Sequence, residues 1–401
     1  MEADIVTRRL TAPVGAGNSD GPNAVARLFL RLGLTAFGGP SAHIALMEAE
    51  VVTKRGWMTR AEFLDRMALV QVLPGPNSTE LAIHIGHARD GWRGAMVAGL
   101  CFVLPSVVLV WLLAALSSAQ AMQAITTRVL WFLTPVVVVI IAEALWKFGK
   151  QAWGRPGAMV LMPLTALAAV VLPSDLLVIA AGAAAAVALQ GGRRGGGVGA
   201  LALIAGALTQ TGGLGAQAMA GAAVSPGLAS ILFYFLRAGV SVFGSGYVLL
   251  AYLQRDLVDG RGWLSMDALL QASALAQITP GPLFSTATAA GYMIGGSAGA
   301  VAATIGIFAP AFASVAVGEP IRRLLQRSPL TRAALDGVVI ASVALLGRAL
   351  VGFAAPLQPV QWAVCAVVAV SLFRYSISTM PLLLTAVALG VAAALLHLPP
   401  S

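Results

Sequence analysis

Long apolar runs fill most of the chain, and short polar or glycine-rich breaks separate them. Four of the clearest runs are almost pure Ala, Val, Leu and Ile, and they cover residues 103–116, 129–145, 158–172 and 382–396. A helix that crosses a bilayer needs about 20 apolar residues, and these runs reach or approach that length with their flanks. They do not alternate polar and apolar residues as the strands of a transmembrane β-barrel do. The pattern predicts an all-α polytopic membrane protein.

Composition supports this prediction and excludes several functions. Of the 401 residues only 10% are charged, whereas a soluble domain carries about 25%. The net charge of +9 fits Lys and Arg retained in cytoplasmic loops, and nucleic-acid binding is not expected because no basic domain stands outside the membrane. Cys101 and Cys365 lie inside apolar segments, so we expect no disulfide, no metal site and no cofactor.

The same pattern of residues occurs twice along the chain. The segment 29–33 (FLRLG) recurs at 235–239 (FLRAG), an offset of 206, and 55–57 (RGW) recurs at 261–263. At this offset Pro74-Gly75-Pro76 matches Pro280-Gly281-Pro282. One residue then drops out, and the offset becomes 205. The chain therefore contains two copies of one membrane unit.

The repeat divides the chain into four predicted regions. Residues 1–23 form a disordered tail, 24–190 the first membrane repeat, 191–227 a glycine-rich linker and 228–401 the second repeat. The linker contains an apolar stretch, 201–208, which leaves open whether it also crosses the membrane. The total is predicted at roughly ten to thirteen crossings, depending on whether each Pro-Gly-Pro segment spans the bilayer or re-enters it.

The distribution of Lys and Arg predicts the relative orientation of the repeats. When the two halves are drawn in the same direction, their basic residues are in excess on opposite faces, whether the Pro-Gly-Pro segments cross or re-enter. Basic loops remain in the cytoplasm, so the halves are predicted to have inverted topology. Inverted repeats with broken helices are typical of secondary transporters, whose substrate binds where the breaks meet near the bilayer midplane.

Four breaks occur at paired positions, and we take them as the candidate substrate site. Each break frees backbone N–H groups and starts a half-helix, whose N-terminus attracts anions. Hydroxyl and amide side chains follow the Pro-Gly-Pro motifs and suit a tetrahedral oxyanion; the alternative is that Gly and Pro only kink or pack helices. The break residues proposed to bind substrate are Gly38, Gly39, Pro40, Ser41, Pro74, Gly75, Pro76, Asn77, Ser78, Thr79, Gly244, Ser245, Gly246, Pro280, Gly281, Pro282, Ser285 and Thr286.

Arg31 and Arg237 precede the glycine breaks at equivalent positions of the two repeats. An arginine inside a membrane helix is costly and usually functional, so both are predicted to bind the anion. The alternatives are that they reach the membrane interface or pair with an acid.

Glu80 and His43 are the candidates for proton coupling. A lone carboxyl at membrane depth is a natural proton carrier, and Glu80 follows the first Pro-Gly-Pro. It could instead cap its own half-helix or pair with Arg31. His43 has a suitable side chain, although a packing role is the alternative.

The motifs at 37–44 (FGGPSAHI), 243–250 (FGSGYVLL), 73–78 (LPGPNS) and 279–282 (TPGP) are similar to those of the chromate ion transporter family in its long, two-domain form. The similarity covers nearly the whole chain. It implies export of chromate across the bacterial inner membrane, driven by the proton motive force. Sulfate or another oxyanion is the alternative substrate, and a passive anion channel the alternative mechanism.

An enzyme is not expected, because the four histidines are scattered and offer no convergent nucleophile–base or metal cluster. The expected partners are the oxyanion and the lipid bilayer, and a homodimer is left open.

Overall fold

A computed structural model gives the structure of the chain. It describes residues 21–37, 39–71, 73–118, 120–172, 174–191, 226–242, 246–375 and 377–396. In these ranges the chain forms fourteen α-helices and no β-strand, which confirms the all-α prediction. Most of the predicted tail and linker lies outside the described residues, and so do Gly38, Gly244 and Ser245 of the candidate site.

The two halves have the same order of helices. In the first half these are α1 Gly21–Thr35, α2 Gly39–Glu48 with a π-helical continuation Ala49–Lys54, α3 Arg60–Val70, α4 Asn77–Ser118, α5 Gln120–Trp153, α6 Ala158–Val171 and α7 Asp175–Gly191. In the second half they are α8 Leu228–Ser241, α9 Gly246–Leu253 with its π-helical continuation Gln254–Gly260, α10 Met266–Ile278, α11 Thr286–Arg327, α12 Pro329–Ala354, α13 Pro359–Phe373 and α14 Thr379–Leu395.

Helices α4 and α11 are each bent back on themselves. The bends fall at Asp90-Gly91 and at Gly295-Gly296, where Gly91 and Gly296 have φ of 55° and 62°, a left-handed conformation that favours glycine. Beyond the first bend the chain doubles back, so that a Cβ on Gly86 would overlap the carbonyl of Gly94. Each long helix therefore has a short first arm (77–89 and 286–294) and a long second arm (92–118 and 297–327).

The first half contains two helical hairpins that enter the molecule from one end. In the first hairpin α2 returns along α1, and Arg31 on α1 pairs with Glu50 beyond α2 at 2.5 Å. The second hairpin consists of α3 and the first arm of α4. Trp57 precedes α3, and the guanidinium of Arg89, at the end of that arm, lies 5.3 Å from its ring centroid. We call this the Trp57 end.

The second half repeats both hairpins at the other end of the molecule. Tyr234 on α8 lies 6.0 Å from the ring of Trp263, which follows the return of α9, so the first hairpin opens there. A Cβ on Gly295, at the end of the first arm of α11, would contact Ile231 on α8. We call this the Trp263 end. The Pro-Gly-Pro segments are therefore the tips of helical hairpins whose two arms end on the same side, an arrangement that favours re-entry over crossing.

The second arms of α4 and α11 are equivalent in the two repeats, and they pack together in opposite directions. Gly99, early in the arm of α4, contacts Phe312, midway along the arm of α11. Trp111, late in its arm, donates from Nε1 to Oγ of Ser297, the first residue of the other arm, over 3.2 Å. Equivalent crossing helices that run antiparallel place the axis relating the halves in the membrane plane. The predicted inversion is confirmed.

The lengths of the helices match these roles. Four described helices are long and apolar enough to cross a membrane: Asn77–Ser118, Ile125–Trp153, Leu283–Gly318 and Pro329–Ala354. A second arm of 27 residues spans about 40 Å, whereas the first arm of α4 spans about 20 Å and reaches only mid-depth. Shorter apolar helices pack beside the long ones, and their outer faces carry exposed side chains such as Met159 and Val170, as expected toward lipid.

Single cysteines can test the hairpins and the inversion together. In a chain with both native cysteines replaced by Ala, we expect Ala61→Cys and Ala88→Cys to react with a membrane-impermeant maleimide from the same side, because both lie at the Trp57 end. Asp267→Cys, the repeat equivalent of position 61, should react from the opposite side. All three residues are exposed. Labelling of positions 61 and 88 from opposite sides would mean that the Pro-Gly-Pro segment crosses.

Candidate functional site

The tips of the four hairpins meet inside the molecule through two reciprocal hydrogen bonds. The N–H of Gly75, in the first Pro-Gly-Pro, donates to the carbonyl of Val242 at the end of α8, over 2.8 Å. The N–H of Gly281, in the second Pro-Gly-Pro, donates to the carbonyl of Ala36 at the end of α1, over 2.9 Å. These two bonds are equivalent at the offset of 206, so each Pro-Gly-Pro tip donates a hydrogen bond to the helix break of the other half.

Glycine is required at the centre of both Pro-Gly-Pro tips. Gly75 and Gly281 have φ of 138° and 102°, in the region that side chains disfavour. A Cβ on Gly75 would lie 2.8 Å from Glu80 Oε1, and one on Gly281 would lie 2.7 Å from Cβ of Ser106. The flanking prolines supply no N–H, so the glycine is the donor at each tip.

Polar side chains are concentrated where the first arms begin. Asn77, Ser78, Thr79 and Glu80 are buried in the first turn of α4, and Ser285 and Thr286 are buried at the start of α11. Five side-chain oxygens here lack a hydrogen-bond partner among the described residues: Thr79 Oγ1, both carboxylate oxygens of Glu80, Ser106 Oγ and Ser285 Oγ. The N–H groups of Thr79 and Glu80 donate to the carbonyl of Pro76, and that of Ser285 donates to the carbonyl of Pro282. These side-chain oxygens are therefore the groups at the two helix starts that can receive a polar ligand.

Glu80 is fully buried beside the Pro-Gly-Pro tip. Neither of the alternatives to proton coupling is present within the described residues, because its carboxylate accepts no bond from its own helix and Arg31 pairs with Glu50 instead. His43 is also buried, and its Nε2 lies 3.1 Å from the carbonyl of Ala36, the same carbonyl that accepts from Gly281. His43 therefore braces the first break.

A cavity of about 590 Å³ leads toward this cluster from the Trp57 end. It lies between the first hairpin and α5, and Glu143 and Lys147 of α5 form an ion pair of 2.6 Å on its wall. Pro40, in the first turn of α2 directly after the first break, also lines the cavity. Since α5 runs from the Trp263 end to the Trp57 end, Gln151 near its C-terminus marks the mouth.

A smaller chamber of about 30 Å³ continues inward from this cavity. Ile140, Tyr247 and Thr379 line both spaces and so form the neck between them. The chamber wall includes Gly39 of the first break and Gly281 of the second Pro-Gly-Pro. The structure thus brings breaks from both halves to the wall of one chamber.

The other predicted residues lie at or directly beside the breaks. Pro74, Pro76, Pro280 and Pro282 flank the tip glycines. A Cβ on Gly246, which starts α9, would lie 2.9 Å from Leu283 just beyond the second Pro-Gly-Pro. Ser41 lies in the first turn of α2.

Arg31 and Arg237 do not lie in this cluster. The Arg31 side chain is 51% exposed and paired with Glu50. Arg237 is exposed on α8 and interacts electrostatically with Asp256, the repeat equivalent of Glu50. Pairing with an acid was one alternative for these arginines, and Arg31 joins α1 to the return of α2 in this way. Their binding of the anion stays a prediction.

Sequence reasoning missed the residues that line the route to the breaks: Glu143, Lys147, Tyr247, Gln277, Thr279 and Thr379. Tyr247 follows Gly246 directly, and its hydroxyl approaches Gly39, so proximity to a motif was an available signal. Glu143 and Lys147 are charges within an apolar run, a second signal. Thr379 had none, because α14 reaches the chamber only through the fold.

Comparison with known proteins agrees with the repeat and with membrane transport. The chromate transporter family model matches residues 24–189 and 229–394. The chain is 32% identical to a chromate transport protein of Pseudomonas aeruginosa over 340 residues, covering 83% of this chain and 81% of that protein. It is 30% identical over 382 residues to a chromate transport protein of Cupriavidus metallidurans, covering 92% of each.

An uncharacterised transporter of Methanocaldococcus jannaschii is 27% identical over 337 residues, or 81% of this chain and 83% of that protein. No solved structure matches the chain. The family model covers both halves, and its relatives extend over most of the chain with similar lengths. The structure contains two inverted copies of one membrane unit, joined by reciprocal hydrogen bonds at their Pro-Gly-Pro tips. This chain belongs to the chromate transporter family.

Proposed function

We propose that the chain exports chromate across the inner membrane of a bacterium, driven by the proton motive force. The observation that carries the proposal is the cavity that leads from the Trp57 end to the chamber between Gly39 and Gly281. Chromate is proposed as the substrate because two relatives are named as chromate transport proteins.

The substrate would bind where the breaks of the two halves meet. Chromate is a tetrahedral dianion, and it would lose its hydration shell on leaving water. Hydroxyl groups at the helix starts, together with the positive ends of the helix dipoles, can replace that shell without a fixed counter-charge. Thr79 and Ser285 are equivalent residues whose hydroxyls have no hydrogen-bond partner among the described residues, and they would contribute one donor from each half. Sulfate has the same shape and charge and is the alternative substrate.

The distribution of charge supports export. Basic residues are frequent at the Trp57 end and include Lys54, Arg55, Arg60, Arg89, Arg93, Lys147, Lys150 and Arg155. By the positive-inside rule this end faces the cytoplasm. The cavity therefore opens toward the cytoplasm, the side from which an exporter takes its substrate. Lys147 at the wall would attract an anion into the cavity.

Proton coupling would use Glu80. Its carboxyl group borders the Pro-Gly-Pro tip and has no hydrogen-bond partner in the described part of the chain. An unpartnered charge at this depth is costly, and a carboxyl group can avoid that cost by carrying a proton. His43 braces the first break close by and is the second candidate for this role.

Expression in a chromate-sensitive bacterium should lower chromate accumulation, because substrate entering the cytoplasmic cavity is carried out. We expect a reduction of several-fold that is lost with a protonophore. Everted vesicles preloaded with unlabelled chromate should take up labelled chromate faster than empty ones, since a carrier shows trans-stimulation and a channel does not. Unchanged accumulation, with the protein detected in the membrane, would contradict chromate export; competition by excess sulfate would identify the alternative substrate.

Glu80→Gln should uncouple transport from the proton gradient, because an amide cannot exchange a proton. In proteoliposomes we expect the stimulation by an imposed pH gradient to disappear, while exchange of chromate at equal pH continues. Thr286→Gln, at the equivalent position of the second half, is the matched control and should keep the pH response. If Glu80→Gln responds to the gradient as the unmodified chain does, proton transfer does not pass through Glu80.

The role of Arg31 can be separated from that of its partner. If Arg31 binds the anion, Arg31→Gln should reduce transport by about tenfold or more, and Glu50→Gln should reduce it less. If the pair only joins α1 to the return of α2, both single variants and the double variant should lose transport and thermal stability to a similar degree. Transport rate and melting temperature in detergent distinguish the two results.

A further inference from the structure

The two ends of the molecule differ although the repeats are equivalent. At the Trp57 end the cavity separates the first hairpin from α5, and α2 has little contact with that helix. At the Trp263 end the equivalent helix, α9, packs along α12, the equivalent of α5. The first hairpin of each half is therefore in a different state: open at the Trp57 end and closed at the Trp263 end.

Residues equivalent to the cavity wall show how the Trp263 end is filled. Phe148 lines the cavity, whereas Phe353, at the offset of 205, is fully buried. Lys147 also lines the cavity, and its equivalent is Gly352, where a Cβ would collide with the side chain of Gln254. The space that is open beside α5 is occupied beside α12 by Gln254 from the returning hairpin.

An ionic cluster lies next to this filled space. Arg348 is equivalent to Glu143 of the cavity wall, and its Nη2 lies 2.7 Å from Oδ1 of Asp175, at the start of α7. Arg255, in the π-helical return of α9, reaches the same oxygen at 2.8 Å. The Asp175 side chain is only 2% exposed. One buried carboxylate thus joins the first hairpin of the Trp263 end, α12 and the α6–α7 turn.

Both arginines also hold the end of α6. Arg348 donates to the carbonyl of Ala169 over 3.2 Å, and Arg255 donates to the carbonyl of Leu172, which ends the helix. Because removing one partner of a buried ion pair leaves an uncompensated charge, the cluster resists partial opening. It can open only if the returning hairpin moves away from α7 and α12 as a unit.

We propose that Asp175, Arg255 and Arg348 form the outer gate of the transport cycle, closed in the conformation described and opened when the cavity at the Trp57 end closes. The gate rests on the proposed transport function. In inverted repeats the second state arises when each half adopts the conformation of the other. The opened Trp263 end then has a cavity between α9 and α12, the counterpart of the present cavity between α2 and α5.

The gate predicts which buried residue becomes accessible. Leu345 is the equivalent of Ile140, and both side chains are buried, but Ile140 lines the neck of the cavity whereas Leu345 is packed in the core with an exposed fraction of 0%. In a chain without native cysteines, we expect Leu345→Cys to react slowly with a membrane-impermeant thiol reagent applied from the Trp263 end. Adding Asp175→Asn should raise that rate by about tenfold or more, since the closed state loses its ionic cluster. Ile140→Cys should become correspondingly less reactive from the Trp57 end.

Asp336→Asn is the matched control, because it removes the ion pair between Arg155 and Asp336 near the Trp57 end. It should not raise labelling of Leu345→Cys. Arg255→Gln is a second gate variant, to be used if Asp175→Asn does not fold. It leaves the Asp175–Arg348 pair in place and should also raise labelling of Leu345→Cys. Unchanged labelling in a folded gate variant, or an equal rise with Asp336→Asn, would overturn the gate. The labelling needs no chromate, so its result stands apart from that of the efflux experiment.

Discussion

The structure depends on satisfying backbone hydrogen bonds where helices are interrupted inside a membrane. A break at mid-depth leaves carbonyl and N–H groups without water to bind them. Here Gly75 and Gly281 donate to Val242 and Ala36 of the opposite half, so each interruption is completed by the other repeat. This requirement joins the two halves at their breaks, and a small chamber lies between two of these breaks, at Gly39 and Gly281.

The same arrangement explains why the site contains few charges. A dianion bound between helix N-termini needs partial charges fixed in position, and a rigid backbone supplies them without the cost of a permanently buried cation. The charged residues lie instead at the two ends: Lys147 at the cavity wall, and Arg255 with Arg348 in the closed cluster. In the proposed transport cycle, charged residues would control access to the chamber, whose wall includes the glycines of two breaks.

The sequence predicted the features that repeat and missed those that depend on packing. The helical class, the two units and their inversion followed from apolar runs, paired motifs and charge bias, and the breaks were found because Pro and Gly act locally. That the chain returns after the first Pro-Gly-Pro is evident from the contact of Arg89 with Trp57, which local pattern does not encode. Arg31 and Arg237 stood out as charges, but only the fold shows that acids on the returning hairpins face them.

The reciprocal bonds also bear on how such a protein could arise. Each unit has an N–H donor at the tip of its Pro-Gly-Pro and a carbonyl acceptor at the end of its opening helix. In the structure these two groups bond to the other half rather than to each other. A half-length ancestor would have completed the chamber only by pairing with a second copy inserted upside down. Dual insertion of a single gene product supplies such pairs, and fusion through a connecting segment then fixes the two orientations in one polypeptide.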